Sequence, residues 1–178
     1  MLKSLAFNDR LFNLHNYKPR GTLTLKIRYM KSLFSPSESQ HIISRLNKLT
    51  ADSKPLWGKM NVAQMLAHCQ WPLRIALGEQ SVKRVLVGIL FGGFARKQLV
   101  KPEPFRKSLP TAKEFVVTDQ RDFVKEKLQL AALIEKFTKG GPEGLTEDPH
   151  PFFGRMTEQE WDVLQWKHLD HHLRQFGV

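Results

Sequence analysis

Between residues 35 and 177 the apolar positions recur every three or four residues, with no convincing two-residue alternation, which is the period of helix and not of strand. Ser35-Pro36-Ser37-Glu38 combines a capping box with proline at the first helical position, and Ile42, Ile43, Leu46 and Leu49 follow at helical spacing, predicting a first helix that ends near Thr50. A second helix is expected from Asn61, with Gln64 three residues on, to a stop at Gly78. Its apolar stripe is Val62, Met65, Leu66, Cys69, Leu73, Ala76 and Leu77. Pro72 lies inside it without an N–H for the His68 carbonyl, so a kink is expected there. Residues 85–94 are strongly apolar but number about half of the ~20 a membrane span needs. Bounded by Lys83-Arg84 and Arg96-Lys97, they read as a buried helix, with Gly92-Gly93 as a packing contact or a helix break. The prolines of residues 101–110 predict a connecting loop that arches over one end of the fold. Helix resumes near Asp119, carries Phe123, Leu130, Ile134 and Phe137, and stops at Gly140-Gly141-Pro142.

The last predicted helix, residues 157–177, opens on a Thr157/Glu160 capping box and closes at Gly177. At about 100° per residue it divides into three faces. Leu169, Leu173, Phe176 and Trp166 form an apolar one, and Glu160, Lys167, Asp170 and Arg174 a charged one expected to be solvated. Trp161, Leu164, His168, His172 and Gln175 share the third, which has the character of a polar pocket wall. His168 and His172 are one turn apart, so both imidazoles can reach a single metal ion. Surface histidines on an amphipathic helix remain the plain alternative for a bare H-x-x-x-H pair. The i, i+3 pair His168/His171 can also meet on a helix, although His171 drifts toward the charged side. His68 sits on the shoulder of the second helix's stripe.

One domain is expected from 178 residues, and helices joined by proline-containing loops argue for an all-α bundle, which places metal sites between facing helices. The single cysteine, Cys69, rules out an intramolecular disulfide, belongs in the core and fits a reducing cytosol, and no secretory signal is evident. The formal net charge of +11 raises nucleic acid as a partner. Residues 1–29, however, concentrate Lys3, Arg10, Lys18, Arg20, Lys26 and Arg28 against Asp9 alone, and no RNA-recognition, zinc-finger or helix-turn-helix signature follows. Lacking a clear period or cap, residues 1–29 read as a basic N-terminal extension before a helical domain spanning residues 30–178.

W-G-K-M-x-x-x-Q-M-L-x-H-C (residues 57–69), H-P-F-F-G-R-M-T-x-x-E-W (150–161) and K-H-L-D-H-H-L-R-Q-F-G (167–177) together resemble the DinB/YfiT-like metalloenzymes, and within them a bacterial domain-of-unknown-function subfamily. The resemblance runs from about Met30 onward. It implies a four-helix bundle holding a divalent ion, commonly nickel or zinc, with His68 as the ligand from the second helix and His168 and His172 as the pair from the last. It further implies frequent homodimers and, in some relatives, S-transfer or isomerisation with low-molecular-weight thiols.

The leading expectation is a metal-dependent enzyme, an S-transferase acting on a thiol and an electrophilic substrate or a hydrolase, with no cysteine nucleophile required of the protein. Gln175 and Trp161 would shape the pocket wall and His150 would exchange a proton. A non-catalytic metal-binding protein and a basic nucleic-acid binder centred on residues 1–29 are the competing classes; membrane is not expected as a partner.

Overall fold

The computed structural model describes residues 31–109, 111 and 113–178, so the extension expected at residues 1–29 lies outside the described residues. Among these residues five α-helices follow one another: α1 Pro36–Asn47, α2 Val62–Ala76, α3 Leu86–Leu99, α4 Phe123–Gly140 and α5 Glu158–Gln175. Short 3₁₀ turns at Lys113–Phe115 and Pro142–Gly144 join them. Among the described residues there is no strand, only an isolated bridge between His150 and Gly154.

Local chemistry sets the helix ends. Asn61 with Gln64 and Thr157 with Glu160 form complete capping boxes at α2 and α5. The box expected at α1 does not form. Ser35 Oγ pairs with Ser37 Oγ at 2.9 Å, the Ser35 N–H donates to the Ser32 carbonyl at 3.2 Å, and the Glu38 carboxylate goes to the Trp166 indole N–H at 3.2 Å and Lys31 Nζ at 3.4 Å. That helix stops at Asn47, short of Thr50, where Lys48 and Leu49 N–H groups tighten onto carbonyls three residues back. The fourth helix starts at Phe123 rather than near Asp119, since Asp122 accepts the Lys125 N–H at 2.7 Å as its cap. Gly78, Gly141 and Gly177 take positive φ where helices were expected to stop. Helix α2 runs unbroken through Pro72, whose carbonyl accepts from Gln165 of α5 at 3.2 Å.

Helices α1, α2, α4 and α5 enclose one apolar core, with α2 packed most extensively on α4 and also on α5. Ile42, Leu46, Met65, Leu66, Leu73, Leu130, Ile134 and Phe137 are fully buried, each worth about 1.5–3 kcal/mol of transfer free energy. Cys69 lies among them, as expected. Asp162 of α5 accepts the Leu33 and Phe34 N–H groups at 2.6 and 3.1 Å and so pins the entry to α1.

Helix α3 differs from expectation. It is a helix, but Leu86, Val87, Ile89, Leu90, Phe91 and Phe94 face solvent instead of a core. The reason is its inner face. Gly88 and Gly92 are buried against the backbone of Phe152 and Phe153, and a Cβ at Gly88 would sit 2.6 Å from Phe152 Cα. At Gly92 a Cβ would collide with the Phe152 carbonyl. Of the Gly92-Gly93 pair, Gly92 is therefore a packing contact, Gly93 faces open space, neither breaks the helix, and the large side chains are turned outward.

Gly92→Ala should consequently destabilise the protein by about 1–3 kcal/mol. Gly93→Ala, where nothing lies within 4 Å, should raise stability by about 0.5–1 kcal/mol. Denaturant melts of the two single variants check this; equal effects would mean that α3 does not seat on residues 152–153.

Candidate metal centre

His68 projects from α2 and His168 and His172 from α5, where the two helices face each other. Their rings form a nearly equilateral triangle: centroids are 5.1 Å apart for His68/His168, 4.8 Å for His68/His172 and 4.7 Å for His168/His172. One ligand nitrogen from each lies within 4.8 Å of the others, so the three could hold a metal ion.

Hydrogen bonds on the outer sides of two rings fix which nitrogen faces inward. His68 Nδ1 donates to the Phe115 carbonyl at 2.9 Å, and a carbonyl can only accept, so Nε2 keeps its lone pair. Gln175 does the same for His172. Its Nε2 donates to the Trp57 carbonyl at 2.6 Å, which turns Oε1 toward His172 Nδ1 at 2.8 Å and makes that nitrogen the N–H. Trp57-Gly58 can approach this closely because residue 58 is glycine. It has φ +85°, and a Cβ there would lie 2.5 Å from Gln175 Nε2.

His168 Nε2 then faces His68 Nε2 at 3.2 Å. With the His68 lone pair on that side, the contact is made either by an Nε2–H of His168 or by a cation shared between two lone pairs. Ligands on a tetrahedral ion with bonds of about 2.0–2.1 Å stand ~3.3 Å apart, so the spacing fits a shared ion. His168 Nδ1 is the one buried side-chain nitrogen or oxygen among the described residues without a hydrogen-bond partner. Leaving it so costs about 1–3 kcal/mol, and among the described residues this ring finds its polar partner on the Nε2 side, at His68.

All three imidazoles are held neutral. Burial lowers the pKa of His68 against the raising effect of its bond to Phe115. Burial again, followed by the neighbouring His172, His68 and His171, puts His168 well below the ordinary histidine range. His172 is pushed down to about 3 by burial and by His68, with the Gln175 bond opposing. Neutral imidazole is the ligand form.

His171 is outside the triangle. Its ring stands 5.8 Å from Trp57 and 6.2 Å from Phe105, the loop residue beside it. That loop does reach over this end of the fold. Lys167, expected in solvent, is buried instead and donates to the Leu99 and Lys101 carbonyls at 3.0 and 2.9 Å while lying 5.0 Å from the Phe105 ring. Asp170 is likewise not solvated, because it pairs with the buried Arg45 at 2.7 Å. Glu160 closes the α5 capping box, and Arg174 alone of that face is exposed. The Phe115 carbonyl and Lys167 were missed by sequence reasoning. A main-chain acceptor leaves no residue signature, and a lysine on a charged stripe looks solvated.

His150 and Trp161 stand together, ring centroids 5.3 Å apart, with His150 outside the three-histidine group. His150 Nδ1 accepts the Phe152 and Phe153 N–H groups at 3.0 and 3.1 Å, which builds the turn that receives α3.

A family model described as "Protein of unknown function (DUF1569)" matches residues 32–177. No curated protein and no solved structure matches the chain.

His150 generates a pH prediction. Burial holds its pKa down to about 4 in the folded state, against 6.5 for the free side chain. The unfolded chain therefore binds the extra proton first. This contribution to stability is complete above pH 6.5 and falls as pH drops from 6.5 toward 4, by up to about 3 kcal/mol. Asn at this position keeps an acceptor but cannot titrate. Stability of His150→Asn measured between pH 7 and pH 4.5 should fall less steeply than wild type; parallel curves would show that His150 titrates normally.

Proposed function

The chain belongs to the DUF1569 family, a description that carries no activity, and from the site we propose that it is a metal-dependent enzyme whose divalent ion is held by His68, His168 and His172. The observation that carries this is the triangle of neutral imidazoles with two outer N–H groups anchored on Phe115 and Gln175. Three protein ligands are the number characteristic of catalytic sites, whereas closed structural sites take four. Zinc and nickel both suit imidazole. The arrangement of α1, α2, α4 and α5 around one core supports a four-helix bundle of the DinB/YfiT kind, occupying residues 30–178.

An ion in such a site supplies Lewis-acid chemistry, lowering the pKa of a bound water or thiol toward neutrality. The chain's own residues do the rest. His68, His168 and His172 bind; the Phe115 carbonyl and the Gln175 amide hold the His68 and His172 rings in orientation; Trp57 and Phe105 pack beside His171, whose ring stands 5.0 Å from that of His172. Cys69 is not a nucleophile, because it is buried beside Met65 Sδ and burial raises its thiol pKa far above the usual range. The reaction class this favours is transfer or hydrolysis in which the nucleophile comes from a small-molecule thiol or water.

Metal content of protein purified without an affinity tag, followed by a screen of low-molecular-weight thiols with electrophiles, tests the proposal. Ala at His68, His168 or His172 should each lower bound zinc or nickel sharply, while His171→Ala keeps most of it. Gln175→Leu should weaken binding by about 10–100-fold without removing a ligand. Full occupancy in a His68→Ala/His168→Ala double variant would falsify the assignment. In titration calorimetry, weak binding by His171→Ala beside near-normal binding by His172→Ala would replace His172 with His171.

A further inference from the structure

The outward face of α3 has no role in the core or in the metal centre. Its side chains are large and very exposed: Leu86 is 78%, Leu90 77% and Phe94 69% accessible, with Val87, Ile89 and Phe91 beside them. No described residue covers them. An ordinary surface helix buries its apolar stripe and shows its polar one. Here the order is reversed, and the reversal is fixed, because the buried stripe is Gly88, Gly92 and Leu99, and the two glycines admit no side chain against Phe152 and Phe153. The helix cannot roll its apolar side inward without driving Leu or Phe into that backbone.

Charge selects among occupants. No acidic residue occurs from Lys83 to Lys101, whereas Lys83 and Arg84 stand at one end of the apolar face and Arg96, Lys97 and Lys101 at the other. Arg96 is engaged with Glu160 at 3.4 Å, but Lys83, Arg84, Lys97 and Lys101 are exposed. A second copy laid antiparallel along α3 would set Lys97 against Lys83. Laid parallel, it would set each cation against itself. Either pairing is repulsive, and a net charge of +11 adds to it. A convex apolar ridge with cations at both ends suits a flat surface that is apolar within and anionic at its rim.

We propose that α3 is a membrane-surface helix, which lies in the interface of an anionic bilayer with Leu86, Leu90, Phe91 and Phe94 among the acyl chains and Lys83, Arg84 and Lys97 at the headgroups. No helix among the described residues is long and apolar enough to cross a membrane, and at 14 residues α3 fits lying on the surface and not spanning it. This reading is independent of the metal site.

The test is flotation of the full chain with phosphatidylcholine vesicles and with an equimolar phosphatidylcholine–phosphatidylglycerol mixture. Binding is expected to the anionic vesicles only and to weaken with added salt. Leu90→Glu/Phe94→Glu should reduce partitioning at least about tenfold, and Lys83→Glu/Lys97→Glu should also weaken it. These side chains point away from the core, so helical content and metal content of the variants should match wild type. Absence of binding to anionic vesicles overturns the proposal. So does unchanged binding of the Leu90→Glu/Phe94→Glu variant, which would assign the attraction to basic residues elsewhere. Sedimentation showing self-association abolished by the same double variant, without vesicle binding, would make a second copy the occupant. A large loss of thermal stability in that variant would show that another part of this chain covers the face.

Discussion

The seam between α2 and α5 has to keep three uncharged imidazoles side by side in a largely dry interior, and much of what surrounds them answers to that requirement. A protonated ring there would be a buried cation beside two more acceptors, so the surroundings fix neutral rings instead of solvating charged ones. The Phe115 carbonyl reaches in from the 3₁₀ turn before α4 for His68, and the Gln175 amide, oriented by the Trp57 carbonyl, serves His172. The close approach of residues 56–58 to α5 is completed by the Leu56 N–H donating to the Gln175 carbonyl at 2.7 Å. Two loops are thus tied to the histidine-bearing helices, residues 56–58 to α5 and the 3₁₀ turn at Lys113–Phe115 to α2, by the need for specified tautomers.

Much of this was legible beforehand, for identifiable reasons. Helical periodicity survives wherever one face is buried, which made α1, α2, α4 and α5 readable, and the capping boxes of α2 and α5 were true to their residue types. The His68, His168 and His172 set came from motif resemblance together with helix phase, and the structure brings those three residues together. The failures share a cause. Whether Lys167 is solvated, or whether residues 85–94 are buried, depends on what packs opposite, and composition does not say. Lys167 looked polar but found two carbonyls at the end of α3 and just beyond it. Leu86 to Phe94 looked like core but were displaced outward by glycines whose partners, Phe152 and Phe153, lie some sixty residues away in sequence. The α1 capping box lost its Glu38 half to Trp166, another contact no local pattern contains.

In the loop of residues 101–109 these long-range ties act together. Lys167 fixes its start, Phe105 packs beside His171, and Lys107 lies 4.4 Å from the Trp57 ring. The loop therefore bridges the end of α3 to the aromatic side chains beside the three imidazoles.

The glycine seat of α3 separates two demands that most helices must satisfy with the same residues. Attachment is carried by backbone against backbone at Gly88 and Gly92, so substitutions at Leu86, Leu90 or Phe94 leave the core untouched. What those outward positions meet can accordingly diverge between related chains, or be redesigned, at little expense in folding. The seat itself tolerates almost nothing larger than hydrogen. Variation along α3 should therefore be lopsided, free on one side and frozen on the other, the opposite of a helix whose large residues hold it in place.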